Sequence, residues 1–288
     1  MKKLIGLCFG VSVLALTACQ KSETPANEKT ASGLQKVTIA SSGSDTDVWN
    51  YIATLPETKK AGIELKVQNF TDYVSMNTAV ANKDIDANAF QSYAYMVAYN
   101  LNNKDKIAPI ATTYLEPMGI YSSKYKQVAD FPQGASIAIP NDGANESRAL
   151  LLLQSAGLIK LKADFDPVKG TPGDIIENQK KLDLKPIQMA TAVRVKDDVD
   201  AIVLGNVLAM EGGLNVIKDS IYHEPIDQST KLNVNIIAVA ESRKNDPVLA
   251  ELGTLYHSEA VKKYVQEHFD GTKVDVNKPV SYLTDATS

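Results

Sequence analysis

A chain of 288 residues with 44% apolar and 22% charged side chains has the composition of a soluble globular protein, long enough for two cores and too apolar for a disordered one. Its formal net charge of −4, without a basic patch, excludes the electrostatics that bind a nucleic-acid backbone. Its three histidines, His223, His257 and His268, all fall in the last quarter without metal-ligand spacing, and no Gly-x-Ser-x-Gly elbow occurs, so nothing argues for an enzyme, a metal or a cofactor.

In chain order, Met1-Lys2-Lys3 gives a positive start and Leu4 to Leu16 follows without a charge. That run is of the roughly 7–15 residues of a secretory signal and short of the roughly 20 that span a bilayer. Leu16-Thr17-Ala18-Cys19 resembles the lipobox of bacterial lipoproteins, in which cleavage precedes the cysteine and its sulfur is acylated. Residues 1–18 are then a signal peptide that is removed, and Cys19 is the lipidated first residue. Cys8 leaves with the signal, so no thiol remains for a disulfide. Several acyl chains hold such a protein firmly at a membrane. Gln20 is not the aspartate of enterobacterial inner-membrane retention, which leaves either membrane open, with the globular part in the periplasm or outside the inner membrane. From Gln20 to Gly33 apolar periodicity is absent, and residues 19–33 read as a flexible tether.

The remaining chain suits two lobes. Lys36 to Ser41 reads as a strand, Val48 to Lys60 as a helix ended by Gly62, Ile63 to Phe70 as an alternating strand and Tyr73 to Asn82 as a helix. Ile85 to Phe90 is a short strand leading to a helix over about Ser92 to Asn100. Ile107 to Tyr121 is extended apart from Pro117, a natural crossing between lobes. Ser136 to Pro140 is a strand, Glu146 to Ala156 a helix stopped by Gly157, and Asp200 to Leu204 a buried strand before Gly205-Asn206. Asn233 to Val239 returns, and helices over Pro247 to Tyr256 and Ser258 to Phe269 close the first lobe. Strands and helices alternating in this way predict an α/β fold with parallel-rich sheets. Its expected parts are lobe 1, residues 34–114 plus 234–288, and lobe 2, residues 115–233.

Five stretches, "FTDYV" (Phe70 to Val74), "DIDANAFQ" (Asp84 to Gln91), "LEPMGIYS" (Leu115 to Ser122), "IPNDGANESRALLLLQSAGLIKL" (Ile139 to Leu161) and "DDVDAIVLGN" (Asp197 to Asn206), resemble in order and spacing the NlpA/MetQ family, the lipid-anchored substrate-binding proteins of methionine ABC importers. The resemblance implies a two-lobed fold like that of periplasmic binding proteins, a methionine-like ligand in the cleft, a permease complex as partner and a monomer. It assigns Arg148 to the ligand's carboxylate, Asn145 to its polar end and Asn206 to its amino or carboxylate group. From the residues alone, Arg148 fits an amphipathic helix surface as well, Asn145 a helix cap and Asn206 a turn. Glu116, in the crossing, suits an ammonium or Arg148 itself. Tyr73, Phe90, Tyr93 and Tyr95 offer rings to a thioether or to the core. The chain departs from the family at Ser92 and Ala94, where a histidine and a proline are usual, at Ser42 to Asp47 in place of a Gly-Pro-His loop, and at Ala192-Val193-Arg194 in place of Leu-Pro-Arg. Methionine leads among ligands; another small amino acid, a peptide, or a non-transport surface lipoprotein are the alternatives. His257 and His268 read as helix-surface residues, and the Asp197 to Asp200 run as a solvated helix end.

Overall fold

The computed structural model describes residues 29–225 and 228–284; Cys8, Cys19, Gln20 and most of the expected tether lie outside the described residues. The first strand, β1 (Gln35–Ser41), leads directly into α1 (Gly43–Thr54), five residues earlier than the apolar pattern predicts. The predicted single helix ends at Leu55, whose ψ of 139° is the extended geometry that the ring of Pro56 forces on its predecessor. Pro56 then opens the short α2 (Pro56–Lys60), a position where a missing N–H costs nothing. After β2 (Ile63–Asn69), Asp72 caps α3 (Tyr73–Ala81) by accepting the Val74 N–H. Next come β3 (Ala87–Ser92), α4 (Tyr93–Asn102) and β4 (Ile107–Thr112). The chain crosses through β5 (Tyr114–Leu115) to β6 (Met118–Tyr121).

The second lobe continues with β7 (Ser136–Pro140), α5 (Gly143–Ser155), the paired β8 (Lys160–Leu161) and β9 (Ile175–Glu177), and β10 (Asp183–Ile187). Then β11 (Ala201–Gly205) runs into α6 (Asn206–Glu211), and β12 (Tyr222–His223) precedes the return crossing. Back in the first lobe are β13 (Asn235–Ala240), α7 (Pro247–Tyr256), α8 (Glu259–His268), β14 (Val274–Asp275) and α9 (Ser281–Thr284).

Two five-stranded sheets result, in the orders β2-β1-β3-β13-β4 and β10-β7-β11-β6-β12. Each is parallel through three strands, and β13 and β6 enter antiparallel to both of their neighbours, so the sheets are mixed rather than wholly parallel. Alternation along β1 sends Val37 and Ile39 to a core with Trp49, Ile52 and Leu252, and Ala40 to a core on the opposite face with Met76 and Met96. The second sheet likewise packs Ile137 and Val203 against Leu150 and Leu153 of α5, and Ile202 and Leu204 against Tyr121 and Val216 on its other face. Among the described residues no helix is long and apolar enough to cross a membrane.

The lobes touch. A Cβ placed on Gly43, at φ +51°, would lie 2.1 Å from Glu211 Oε1 and 2.8 Å from Val207 Cγ1 on α6, so the start of α1 packs directly against the side chains of the other lobe. Ala94 of α4 packs with Ala144 of α5 and Val168 in a second, apolar contact. The cleft is therefore closed.

Candidate functional site

Between the lobes lies a cavity that is partly open to solvent. Ser42, Asp45, Tyr73, Phe90, Gln91, Ser92, Tyr95 and Asn235 line it from the first lobe, Glu116 from the crossing, and Asn145, Arg148, Met189 and Gly205 from the second. The loops β1–α1, β7–α5 and β11–α6 all reach it, which places it at the carboxyl ends of the parallel strands.

Arg148 is 9% exposed on α5. Its Nε donates to Glu224 Oε1 at 2.8 Å and its Nη2 to Glu224 Oε2 at 2.6 Å, a bidentate pair. Nη2 also donates to the backbone oxygen of Glu116 at 2.8 Å. Glu224 is itself fixed by the Met118 N–H at 2.8 Å and by Asn233 Nδ2 at 3.2 Å. Burial opposes the charge on Arg148, but Glu224 outweighs it and holds the guanidinium above its ordinary pKa. Nη1 has no hydrogen-bond partner among the described residues, and Arg148 lines the cavity. The guanidinium thus presents the two N–H groups of Nη1 rather than its fork.

Asn145 does not cap the helix. Asp142 does, accepting the Asn145 N–H at 3.2 Å, and α5 begins at Gly143. The Asn145 side chain donates Nδ2 to the same Asp142 oxygen at 2.8 Å, which leaves Oδ1 as an acceptor at the cavity wall.

Glu116 does not meet Arg148 through its carboxylate. Oε2 accepts from Lys273 Nζ at 2.9 Å and from Asn206 Nδ2 at 3.0 Å, while Oε1 has no partner among the described residues. Lys273 is fully buried. Its ammonium also donates to Asp45 Oδ1 at 2.6 Å and lies 4.0 Å from the Tyr114 ring centre and 5.2 Å from that of Phe269. Burial works against the charge here too, but Asp45 and Glu116 together hold Lys273 above its usual pKa. The second Asp45 oxygen accepts the Tyr114 hydroxyl. Burial pushes Asp45 up to about 6 in spite of Lys273, with Glu116 adding to the rise.

Asn206 is wholly buried behind the wall that its neighbours Gly205, Val207 and Leu208 form. Besides Glu116, its Nδ2 meets Thr272 Oγ1 at 3.2 Å, so it joins α6 to the crossing and to the chain after α8; its Oδ1 is buried without a partner among the described residues. Asn206 is not among the cavity's lining residues, although its neighbours Gly205 and Val207 are.

The apolar side of the cavity is a box of rings. Tyr73 and Phe90 lie 5.2 Å apart, and Tyr95 meets both edge-on at 6.5 and 5.9 Å. Met189, from the 3₁₀ turn Met189–Val195, faces the site from the other lobe. Phe90 is aimed by its neighbours: Asn77, Asn88 and Gln91 form a buried amide cluster whose four hydrogen bonds of 2.7–2.9 Å lock β3 to α3. Much of the "DANAFQ" stretch is thus a frame for the site. Ser92 caps α4 by accepting the Tyr95 N–H at 3.2 Å and so sets where Tyr95 stands. Tyr93 packs into the lobe 1 core with Met96 and Val234 and is not among the cavity's lining residues.

Two further expectations are corrected. The side chain of His257 is 10% exposed, bridging Asp275 at 2.7 Å and the Thr112 carbonyl at 2.8 Å instead of lying on a helix surface. Asp200 does not end a helix; its carboxylate accepts the Ser136 N–H at 2.8 Å and fixes the start of β7 beside β11.

The sequence profile of the NlpA lipoprotein family matches residues 37–277. The chain belongs to the NlpA lipoprotein family. Among relatives, it is 35% identical to outer membrane lipoprotein 2 of Mannheimia haemolytica over 94% of this chain and 97% of that one. It is 34% identical to a probable D-methionine-binding lipoprotein, MetQ, of Pasteurella multocida, over 94% and 97%. A solved nutrient-binding protein of Burkholderia cenocepacia, bound to methionine, superposes with a TM-score of 0.79 at 38% identity, covering 83% of this chain and 99% of that one. The NlpA fold is thus the two-lobed fold of substrate-binding proteins. Within this family framework, the residues that composition and motifs did not single out are Glu224, Lys273 and Met189. Each is isolated in sequence from its partners, Lys273 by 157 positions from Glu116, so that only the fold brings them together.

Proposed function

We propose that the protein is a lipid-anchored receptor of an ABC importer that binds methionine or a closely related amino acid between lobe 1, residues 34–114 plus 234–288, and lobe 2, residues 115–233. The observation that carries this reading is a spare donor beside a spare acceptor. Arg148 Nη2 bonds the backbone oxygen of Glu116, the Glu116 carboxylate raises the Arg148 pKa through its charge, and both residues line the cavity. The carboxylate and ammonium of an α-amino acid share one carbon and need such a pair. Asn145 Oδ1 adds an acceptor on the second lobe. The ring box of Tyr73, Phe90 and Tyr95 then faces the side chain, where a thioether sulfur gains about 0.3–1.5 kcal/mol per ring contact. The name of the Pasteurella relative, a probable D-methionine-binding lipoprotein, and the Burkholderia structure, bound to methionine, agree with this chemistry.

Because the polar groups Arg148, Glu116 and Asn145 come from lobe 2 and the rings from lobe 1, a ligand stabilises the closed form by its differential affinity, without covalent chemistry. Acylation at Cys19 holds the receptor, as a monomer, in the cell envelope near its permease, with the globular part outside the inner membrane. Calorimetric titration of the purified protein with the twenty L-amino acids, D-methionine and short methionine peptides tests the reading. Binding of methionine at micromolar concentration or below supports it; no binding by any of these rejects it. A peptide ligand is the second reading, since the cavity shares Ser42, Tyr73, Tyr95, Met189 and Leu208 with an outer cleft that extends to Arg194. Tighter binding of a methionine peptide than of methionine would favour it.

A further inference from the structure

We propose that Asp45 is a positioning and specificity-determining residue: by sharing Lys273 with Glu116 it leaves the Glu116 carboxylate with uncompensated negative charge, and so fits the site to ligands that carry a free ammonium. The inference rests on the amino-acid reading above and adds to it the group that sets the charge.

The charges at this wall can be counted. Lys273, fully buried, is the single cation paired with either carboxylate among the described residues, and it contacts both, at 2.6 and 2.9 Å. One cation between two carboxylates leaves one net negative charge. The neighbouring Arg148 does not cancel it, because Glu224 already forms a bidentate pair with that guanidinium. Lys273 and the Tyr114 hydroxyl occupy one oxygen each of Asp45, whereas Glu116 keeps Oε1 unpartnered at the cavity. The excess charge is therefore offered to a ligand by Glu116, and Asp45 acts through Lys273. Were Asp45 neutral, Lys273 and Glu116 would form an ordinary balanced pair with little hold on an ammonium.

Asp45 lies in the first turn of α1, directly after the turn from β1 that reaches the cavity. The groups that act on Asp45 are Lys273, Tyr114 and Glu116 by contact or close charge, together with the phenols of Tyr73 and Tyr256. Burial keeps the two phenols neutral at physiological pH. Glu211 of α6 adds a carboxylate close to the same loop, at Gly43. Burial raises Asp45 to about 6, so a proton taken up on mild acidification switches off the same charge.

The test compares methionine with 4-(methylthio)butanoate, the same molecule with hydrogen in place of the ammonium, by calorimetry on the detergent-solubilised full chain at pH 7.5. Wild type is expected to prefer methionine, and Asp45→Asn, which keeps the shape and the Tyr114 contact, to lower that preference by about tenfold or more. Acidification to pH 5 is expected to weaken methionine binding progressively in wild type and to leave Asp45→Asn unchanged. Methionine binding with an unaltered preference, or with the same pH slope in both proteins, overturns the inference alone. Failure of wild type to bind any amino acid overturns the receptor reading and this inference with it. If Asp45→Asn does not fold, the wild-type profile decides, since an affinity constant between pH 7.5 and 5 contradicts the proposal.

Discussion

Two buried cations hold Glu116, Arg148 at its backbone oxygen and Lys273 at its carboxylate, and they are wired in opposite ways. Arg148, on the second lobe, has one carboxylate partner, Glu224, and five N–H groups, so it retains a donor after pairing. Lys273, on the first lobe, has two carboxylate partners and three N–H groups, so the acceptors outnumber it. The first arrangement has a donor to spare and the second an acceptor. A buried ion pair is weak evidence of stability by itself, because desolvation offsets much of the attraction. Here the mismatch at each pair is what a zwitterion complements.

Breaking the lysine side should have the largest effect on stability. Lys273→Met leaves Asp45 and Glu116 buried without a cation, and a loss of about 3–5 kcal/mol is expected in denaturant unfolding, partly relieved at low pH as one carboxyl takes up a proton. Breaking the arginine side acts mainly on the ligand. Arg148→Ala should weaken methionine by about 2–5 kcal/mol in calorimetry, since the ligand carboxylate is then buried unpaired, and should also destabilise the free protein by stranding Glu224.

Acid should separate the two cations. Asp45 has a folded pKa of about 6, above the 3.8 of an unperturbed aspartate, so its contribution to stability is fully present below about 3.8 and is lost as pH rises through 6. Relative to Asp45→Asn, wild type should gain up to about 3 kcal/mol in unfolding free energy between pH 7 and pH 4. Nothing comparable is expected at Arg148, whose pKa is raised. The smallest effect belongs to the apolar wall: Phe90→Leu should reduce methionine affinity by about 1 kcal/mol and leave the preference for a free ammonium unchanged.

The order of strands and helices is readable from apolar periodicity because one face of each element is buried. Ser136–Pro140 and Pro247–Tyr256 fall where the pattern puts them. Boundaries set by a single local contact are less legible: α5 starts at Gly143 because the Asp142 side chain accepts the Asn145 N–H, a choice that Asn145 could equally have made. The edge strand Asp183–Ile187 carries Asp, Lys and Pro and sits half in water, so it lacks the alternation that marks its partners. Family motifs lead to Arg148, Asn145, Glu116 and the rings Tyr73 and Phe90, all of which line the cavity. They do not distinguish Tyr93, whose ring turns into the core, from Tyr95, whose ring joins the box. Lys273 is hidden for a different reason. Lysines are solvated almost everywhere, and only the convergence of Asp45, Glu116 and two rings makes burial of this one tolerable.

The account rests on a zwitterion seated between the two cations' unequal pairs. Its most direct test is a crystal structure of the protein with L-methionine. The account predicts the ligand's carboxylate within hydrogen-bond distance of Arg148 Nη1, its ammonium within hydrogen-bond distance of Glu116 Oε1 and its thioether among Tyr73, Phe90 and Tyr95; methionine reversed in this cavity, or bound outside it, would contradict it.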